Sequence, residues 1–238
     1  MSRAVSGRRH RPPWAVALGF LGESLVTAGV LVGLFTAYSL WWTDVLADRR
    51  SGHQAAQLRH TWTGPDSGEA APAYLGADGL GFLHVPAMGR DYQVLIKLGT
   101  TPDVLNQGVA GVYREPYASA MPWDPVGNFA LAAHRDGHGA KFHDLDAVAK
   151  GDAVVVETRD RWYVYRVDAT LPQTTKEDVG VVAPVPAEAG YTAPGRYITL
   201  TTCTPVLTSR YRMAVWGSLV RVDPVDARRT PPPELRAG

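Results

Sequence analysis

From Trp14 to Trp42 the chain reads WAVALGFLGESLVTAGVLVGLFTAYSLWW, with Glu23 as its only charged residue. A helix needs about 20 apolar residues to cross the hydrocarbon of a bilayer, and Leu25 to Trp42 comes close to that alone. Trp14 at one end and Trp41–Trp42 at the other suit the aromatic belts of the two interfaces. An acid at mid-bilayer costs roughly 2.5–3.5 kcal/mol, which places Glu23 near the boundary on its N-terminal side. Arg3, Arg8, Arg9 and Arg11 precede the run, and no acid appears before Glu23. Such a basic flank stays in the cytoplasm, so the chain beyond Trp42 is expected outside the cell membrane. The competing reading is a cleaved signal peptide, whose apolar core of about 7–15 residues ends at a small-x-small site. This run is longer and ends in Trp41, Trp42 and Thr43, which favours an uncleaved, single-pass signal anchor.

The rest divides by composition. Residues 1–13 are a basic cytoplasmic tail, 14–42 the membrane anchor, 43–79 an extracellular stalk, 80–223 a folded domain and 224–238 a disordered tail. The first half of the stalk, DVLADRRSGHQAAQLRH, can continue the helix, whereas TWTGPDSGEAAPAYLGADG is rich in Gly, Pro and Ala. A net charge of +1 gives no reason to invoke nucleic acid. The single cysteine, Cys203, excludes an internal disulfide framework, and an odd thiol in an exported domain is a candidate reactive group.

The folded region reads as short β runs. GFLHVPAM and DYQVLIKL make a hairpin-like start, and TPDVLNQG holds a single helical turn opened by Pro102. NFALAAH is a buried-looking strand ending at His134, followed by a loop and a short helix near Lys141 to Ala149. Asp152–Thr158 and Arg161–Ala169 form a hairpin around Arg159 and Asp160. A connection with four prolines, Leu171–Gly195, is long enough to be functional or mobile, and it leads into the strand that carries Cys203. Roughly seven or eight short strands with minor helices make an all-β barrel or sandwich.

Thr199–Gly217 reads TLTTCTPVLTSRYRMAVWG. Cys203 ends a short β run, a turn with Pro205 follows, and Arg210 and Arg212 open the next apolar run. A thiol at a strand end with a guanidinium shortly after it suggests a nucleophile with an oxyanion partner. TLTTC followed by R-x-x-V resembles the sortases, membrane-anchored cysteine transpeptidases of Gram-positive bacteria. The Thr-Pro after Cys203 and the short spacing to the arginine are most similar to class E sortases of actinobacteria. The resemblance implies an eight-stranded β-barrel preceded by one transmembrane helix. It also implies a catalytic set of Cys203, His134 and Arg212. His134 ends Ala132-Ala133-His134, where the family commonly has an AGH-like tripeptide, and Arg212-Met213-Ala214-Val215 supplies R-x-x-V. Ala132 and Thr202 match positions that line the substrate groove in relatives.

The implied reaction cleaves an LAxTG- or LPxTG-type sorting motif between Thr and Gly through a thioacyl intermediate on Cys203. The partners are secreted proteins bearing that motif near the C-terminus and a peptidoglycan precursor amine, and no cofactor is required. His134, His138 and His143 with Asp136 and Asp144 form a local cluster, but H-x3-H-x4-H interrupted by Gly137 and Gly139 lacks the H-E-x-x-H helix of a zinc protease, and no metal is expected. The alternative from another class is a membrane-tethered β-barrel that binds without catalysis.

Overall fold

The computed structural model describes residues 13–63 and 79–236. The expected basic tail, but for Pro13, and the glycine-rich second part of the stalk therefore lie outside the described residues, except for Gly79 and the first residues of that part. Eight strands close into a barrel: β1 (Gly81–His84), β2 (Gln93–Leu98), β3 (Ala110–Val112), β4 (Gly127–Ala132), β5 (Ala153–Glu157), β6 (Arg161–Thr175), β7 (Arg196–Thr204) and β8 (Tyr211–Pro224). Their order around the wall is β1-β2-β3-β4-β7-β8-β6-β5, closed by β1 against β5. Two neighbouring pairs are parallel, β2 with β3 and β4 with β7, and the others are antiparallel. A closed wall leaves no unpaired edge.

Period-two alternation decides what goes inside. Along β8, Met213 and Val215 point into the main core with Ile198 and Leu200 of β7, while Ala214 and Trp216 point outward. The outer face of β4, β7 and β8 is nevertheless covered. The long connection lays Val181 and Val182 over Ala130, Ala214 and Trp216, and the Trp216 indole donates to Val181 O at 2.8 Å. Tyr191 donates to Asp168 and stacks on Tyr197, so this segment is anchored at both ends of its path. The helix expected near Lys141–Ala149 is only a 3-10 turn, Leu145–Ala147.

The helix α1 spans Pro13–Thr63, and the chain divides into two units between Trp42 and Thr43. In the first unit the helix exposes apolar side chains all round, Leu18, Phe20, Leu25, Val30 and Phe35 among them. It is long and apolar enough to cross a membrane, with mean hydropathy 1.8 in its most apolar stretch. In the second unit, residues 43–63 lie on the barrel instead of standing clear as a stalk. Ala47, Ser51 and Leu58 are buried. Leu58 packs with Phe82, Leu95 and Val109, and Trp62 meets Phe82 edge-on. Positions 47, 51, 55, 58 and 62 form one helical stripe, hidden in the sequence by the charged residues between them.

The residues expected as a disordered tail also pack. Arg229 reaches Glu157 at 2.8 Å, Arg221 pairs with Glu234, and Leu235 rests on Val155, Trp162 and Val164. Glu157 joins three parts of the chain, accepting from Arg59 of α1, contacting His84 Nε2 at 3.0 Å, and accepting from Arg229. Burial alone would raise its carboxyl, but the hydrogen bonds from His84 and Arg59, the Arg59 charge and the Arg229 bond bring it down from 4.5 to about 2. A lowered carboxylate contributes stability that is complete above its unfolded value and lost as pH falls toward the folded one. Glu157→Gln should therefore cost about 3 kcal/mol at pH 7, or roughly 6–12 °C in Tm. Its stability should also vary less between pH 4.5 and 2 than that of the parent chain. Thermal unfolding across that window checks both.

Candidate active site

Three adjacent strand ends converge at one rim of the barrel. Cys203 is opposite Arg212 in the β7–β8 ladder, and no bulge interrupts that register. Cys203 lies in register with Arg212, which alternates with the outward Ala214 and Trp216, so thiol and guanidinium root share the outer face. On the other side, β4 runs parallel to β7 with Ala132 level with Thr201, and Ala133 N extends the ladder to Thr201 O at 3.3 Å. The strand ends at Ala132, and His134 follows two residues beyond it, close in sequence to the strand end beside β7.

His134 is half-buried. Its Nε2 is 2.8 Å from Asn106 Oδ1, and its ring centroid is 5.2 Å from that of His138. Asn106 follows α2 (Pro102–Leu105), the single helical turn expected from Pro102. Burial lowers the imidazole's pKa below its ordinary value, and the neighbouring His138 lowers it further. At neutral pH the ring is thus biased toward its neutral form, able to accept a proton.

Arg212 Nη1 donates to Ser209 O at 3.0 Å and Tyr211 O at 2.9 Å, so the carbonyls of the turn hold the guanidinium at the rim. Arg210 sits before β8, with its guanidinium over the Tyr211 ring at 5.1 Å. The Tyr113 hydroxyl is 2.9 Å from Thr201 Oγ1. Burial raises this phenol's pKa, the Thr201 bond and the Arg212 charge oppose the rise, and Cys203 adds to it. Tyr113 thus senses both Arg212 and Cys203. Sequence reading passed over it because it lies in a stretch of turn formers that carries no periodicity.

The two groove positions separate. Ala132 lies on the Cys203 face beside Thr201. Thr202 turns the other way, level with the core residue Met213, and its hydroxyl donates to Ala133 O at 2.8 Å. Thr202 therefore fixes the backbone that carries His134, while Thr201 lies on the Cys203 face, also buried. Arg135, the next residue after His134, is buried, reaching Asp146 at 2.7 Å and Thr204 Oγ1 at 3.3 Å. Asp136 accepts from Leu207 N and His143 Nδ1 is 2.9 Å from Arg135 O, so both side chains brace the loops, with 3.9 Å between His143 Nδ1 and Asp136 Oδ1. Among the described residues, no group of three His, Cys, Asp or Glu side chains is placed to hold a metal ion.

The family model for the sortase domain matches residues 83–220. The chain is 52% identical to Sortase SrtE2 of Streptomyces coelicolor over 98% of its own length and 94% of that relative's. It is 42% identical to Sortase SrtE1 of the same organism over 94% of this chain, and spans 64% of that longer protein. The crystal structure of Sortase E1 from S. coelicolor, which has a tripeptide in its active site, superposes with TM-score 0.62 and 43% identity, covering 66% of this chain and 96% of that one. Sortase E from Streptomyces avermitilis gives TM-score 0.58 and 35% identity, over 66% and 95%.

Proposed function

The chain belongs to the sortase family of cysteine transpeptidases, and on that premise we propose that it cuts an LAxTG- or LPxTG-type sorting motif between Thr and Gly and joins the freed acyl group to a cell-wall amine. The observation that carries this reading is the register that sets Arg212 opposite Cys203, with His134 two residues past the end of the neighbouring strand β4. His134 takes the thiol proton as Cys203 Sγ attacks the threonine carbonyl carbon. The carbon–sulfur bond forms, Arg212 donates to the oxygen as it gains charge, and the bond to glycine nitrogen breaks. His134 passes its proton to that leaving amine. An incoming amine then attacks the thioester and loses a proton to His134, and the carbon–sulfur bond breaks to regenerate the thiol. On this reading the peptide lies against the outer face beside the thiol, near Ala132 and Tyr113.

The basic residues Arg3, Arg8, Arg9 and Arg11 ahead of the apolar run support a cytoplasmic N-terminus and an extracellular catalytic domain. The substrates are then secreted proteins carrying the motif near their C-termini, and the acceptor is a peptidoglycan precursor amine.

Incubating the full chain in detergent with LAxTG and LPxTG peptides and an amine tests the reading: a transpeptidation product and a thioacyl adduct are expected. Binding of either peptide with neither product would leave a non-catalytic binding module. His134→Ala should lower kcat by about 10²–10⁴-fold, the range for a lost acid–base group. Chelators should leave the rate of the parent chain unchanged. Inhibition by chelator with recovery on zinc would overturn this assignment of His134.

A further inference from the structure

The loop after His134 holds four consecutive residues at positive φ: Gly137 at 65°, His138 at 50°, Gly139 at 80° and Ala140 at 40°. Two of them carry side chains in a region that L-residues avoid. Such a path persists only where its surroundings over-determine it. From its C-terminal side the loop is closed by Ala140 N to Gly137 O and Phe142 N to His134 O, both at 2.9 Å. From outside, it is held by the membrane-proximal turns of α1. Asp44 Oδ1 accepts from Gly139 N at 2.8 Å, and Asp48 Oδ1 accepts from Lys141 Nζ at 2.7 Å. The helix lies so close that a Cβ on Gly139 would come within 2.9 Å of Asp48 Oδ1.

The same turns touch the segment on the other side of the imidazole. Ala47 is buried, and a Cβ on Gly108 would lie 3.2 Å from its Cβ. Gln54 Nε2 donates to Gln107 Oε1 at 3.2 Å. Asn106, which holds His134 Nε2, is the residue before Gln107. One face of α1 thus braces both segments that touch the His134 ring, the one ending in Asn106 and the one presenting His138.

We propose that Asp44 and Asp48 are positioning residues for the acid–base histidine, so that the helix leading into the barrel is a working part of the active site. The inference rests on His134 serving as the acid–base group. Removing the Asp44 acceptor frees the Gly139 amide, lets the strained turn relax, and moves His138 off the His134 ring. The thiol on β7 is untouched.

The test uses the full chain in detergent micelles with a sorting-motif peptide and an amine. Asp44→Ala should lower kcat roughly tenfold, the effect of one lost hydrogen bond to a constrained group, with KM for the peptide within about twofold. Hydrogen exchange at the Gly139 amide should speed up. Asp44→Asn, which keeps an acceptor oxygen, should restore most of both. Asp48→Ala, an exposed change that leaves the fold intact, should give a smaller loss of the same kind, about threefold. Asp44→Ala at the parent kcat, or Asn no better than Ala, would overturn the proposal. A parent chain inert toward peptide overturns the catalytic reading instead, and Gly139 exchange in Asp44→Ala still reports whether the helix holds the loop.

Discussion

Cys203→Ala abolishes peptide cleavage and removes the mass adduct, while leaving the melting temperature within about 1 °C of the parent chain. The thiol is half-exposed at the end of β7, and alanine opens no buried cavity there. Loss of a nucleophile from a concerted set costs on the order of 10⁴–10⁶-fold in kcat. The chain has no second cysteine to take over. Mass spectrometry after mixing with peptide, alongside a thermal melt, separates a chemical loss from a folding one. Turnover by the alanine variant at the parent rate would remove the transpeptidase reading altogether.

Arg212→Ala and Arg212→Lys should both lose about 10²–10³ in kcat, equivalent to about 2.7–4 kcal/mol of transition-state stabilisation. Lysine keeps the charge but not the planar fork that Ser209 O and Tyr211 O now hold in place. Arg210→Ala should stay near the parent rate. Its Cα lies two residues before the Cys203 partner, about 6–7 Å along an extended chain, and its guanidinium rests on Tyr211. Kinetics on the three variants decide the matter; the reverse ranking would reassign the oxyanion partner to Arg210.

What the sequence disclosed and what it hid follow from the range of the contacts. Strands betray themselves through alternation, so β5 and β6 around Arg159–Asp160, and β7 running up to Cys203, were legible. The start of β8 at Tyr211 was legible too, because the apolar run opens there. Facing was harder. Thr201 and Thr202 are chemically identical neighbours, and only the partners Ala132 and Met213 tell which one shares the face of Cys203. The helix on the barrel and the packed C-terminal segment were hidden for another reason. Their anchors, Arg59 and Arg229 on Glu157, are charged residues that look solvated in a linear reading, and they meet only after folding. Asn106 and the His138 loop are of the same kind: each touches His134 through space, and no spacing rule connects them.

The parallel pairing of β4 with β7 bears on how the enzyme comes to life. Thr202 and Ala133, which lock those strands together, are 69 residues apart. A pairing with that much chain between its halves pays its loop-closure entropy before it gains any contact, and so forms late in folding. β8, with Arg212, joins β7 later still in the order of synthesis. Until then Cys203 stands on an unfinished strand, without Arg212 opposite it. On the proposed mechanism, the nucleophile gains its partners only when β4, β7 and β8 have paired.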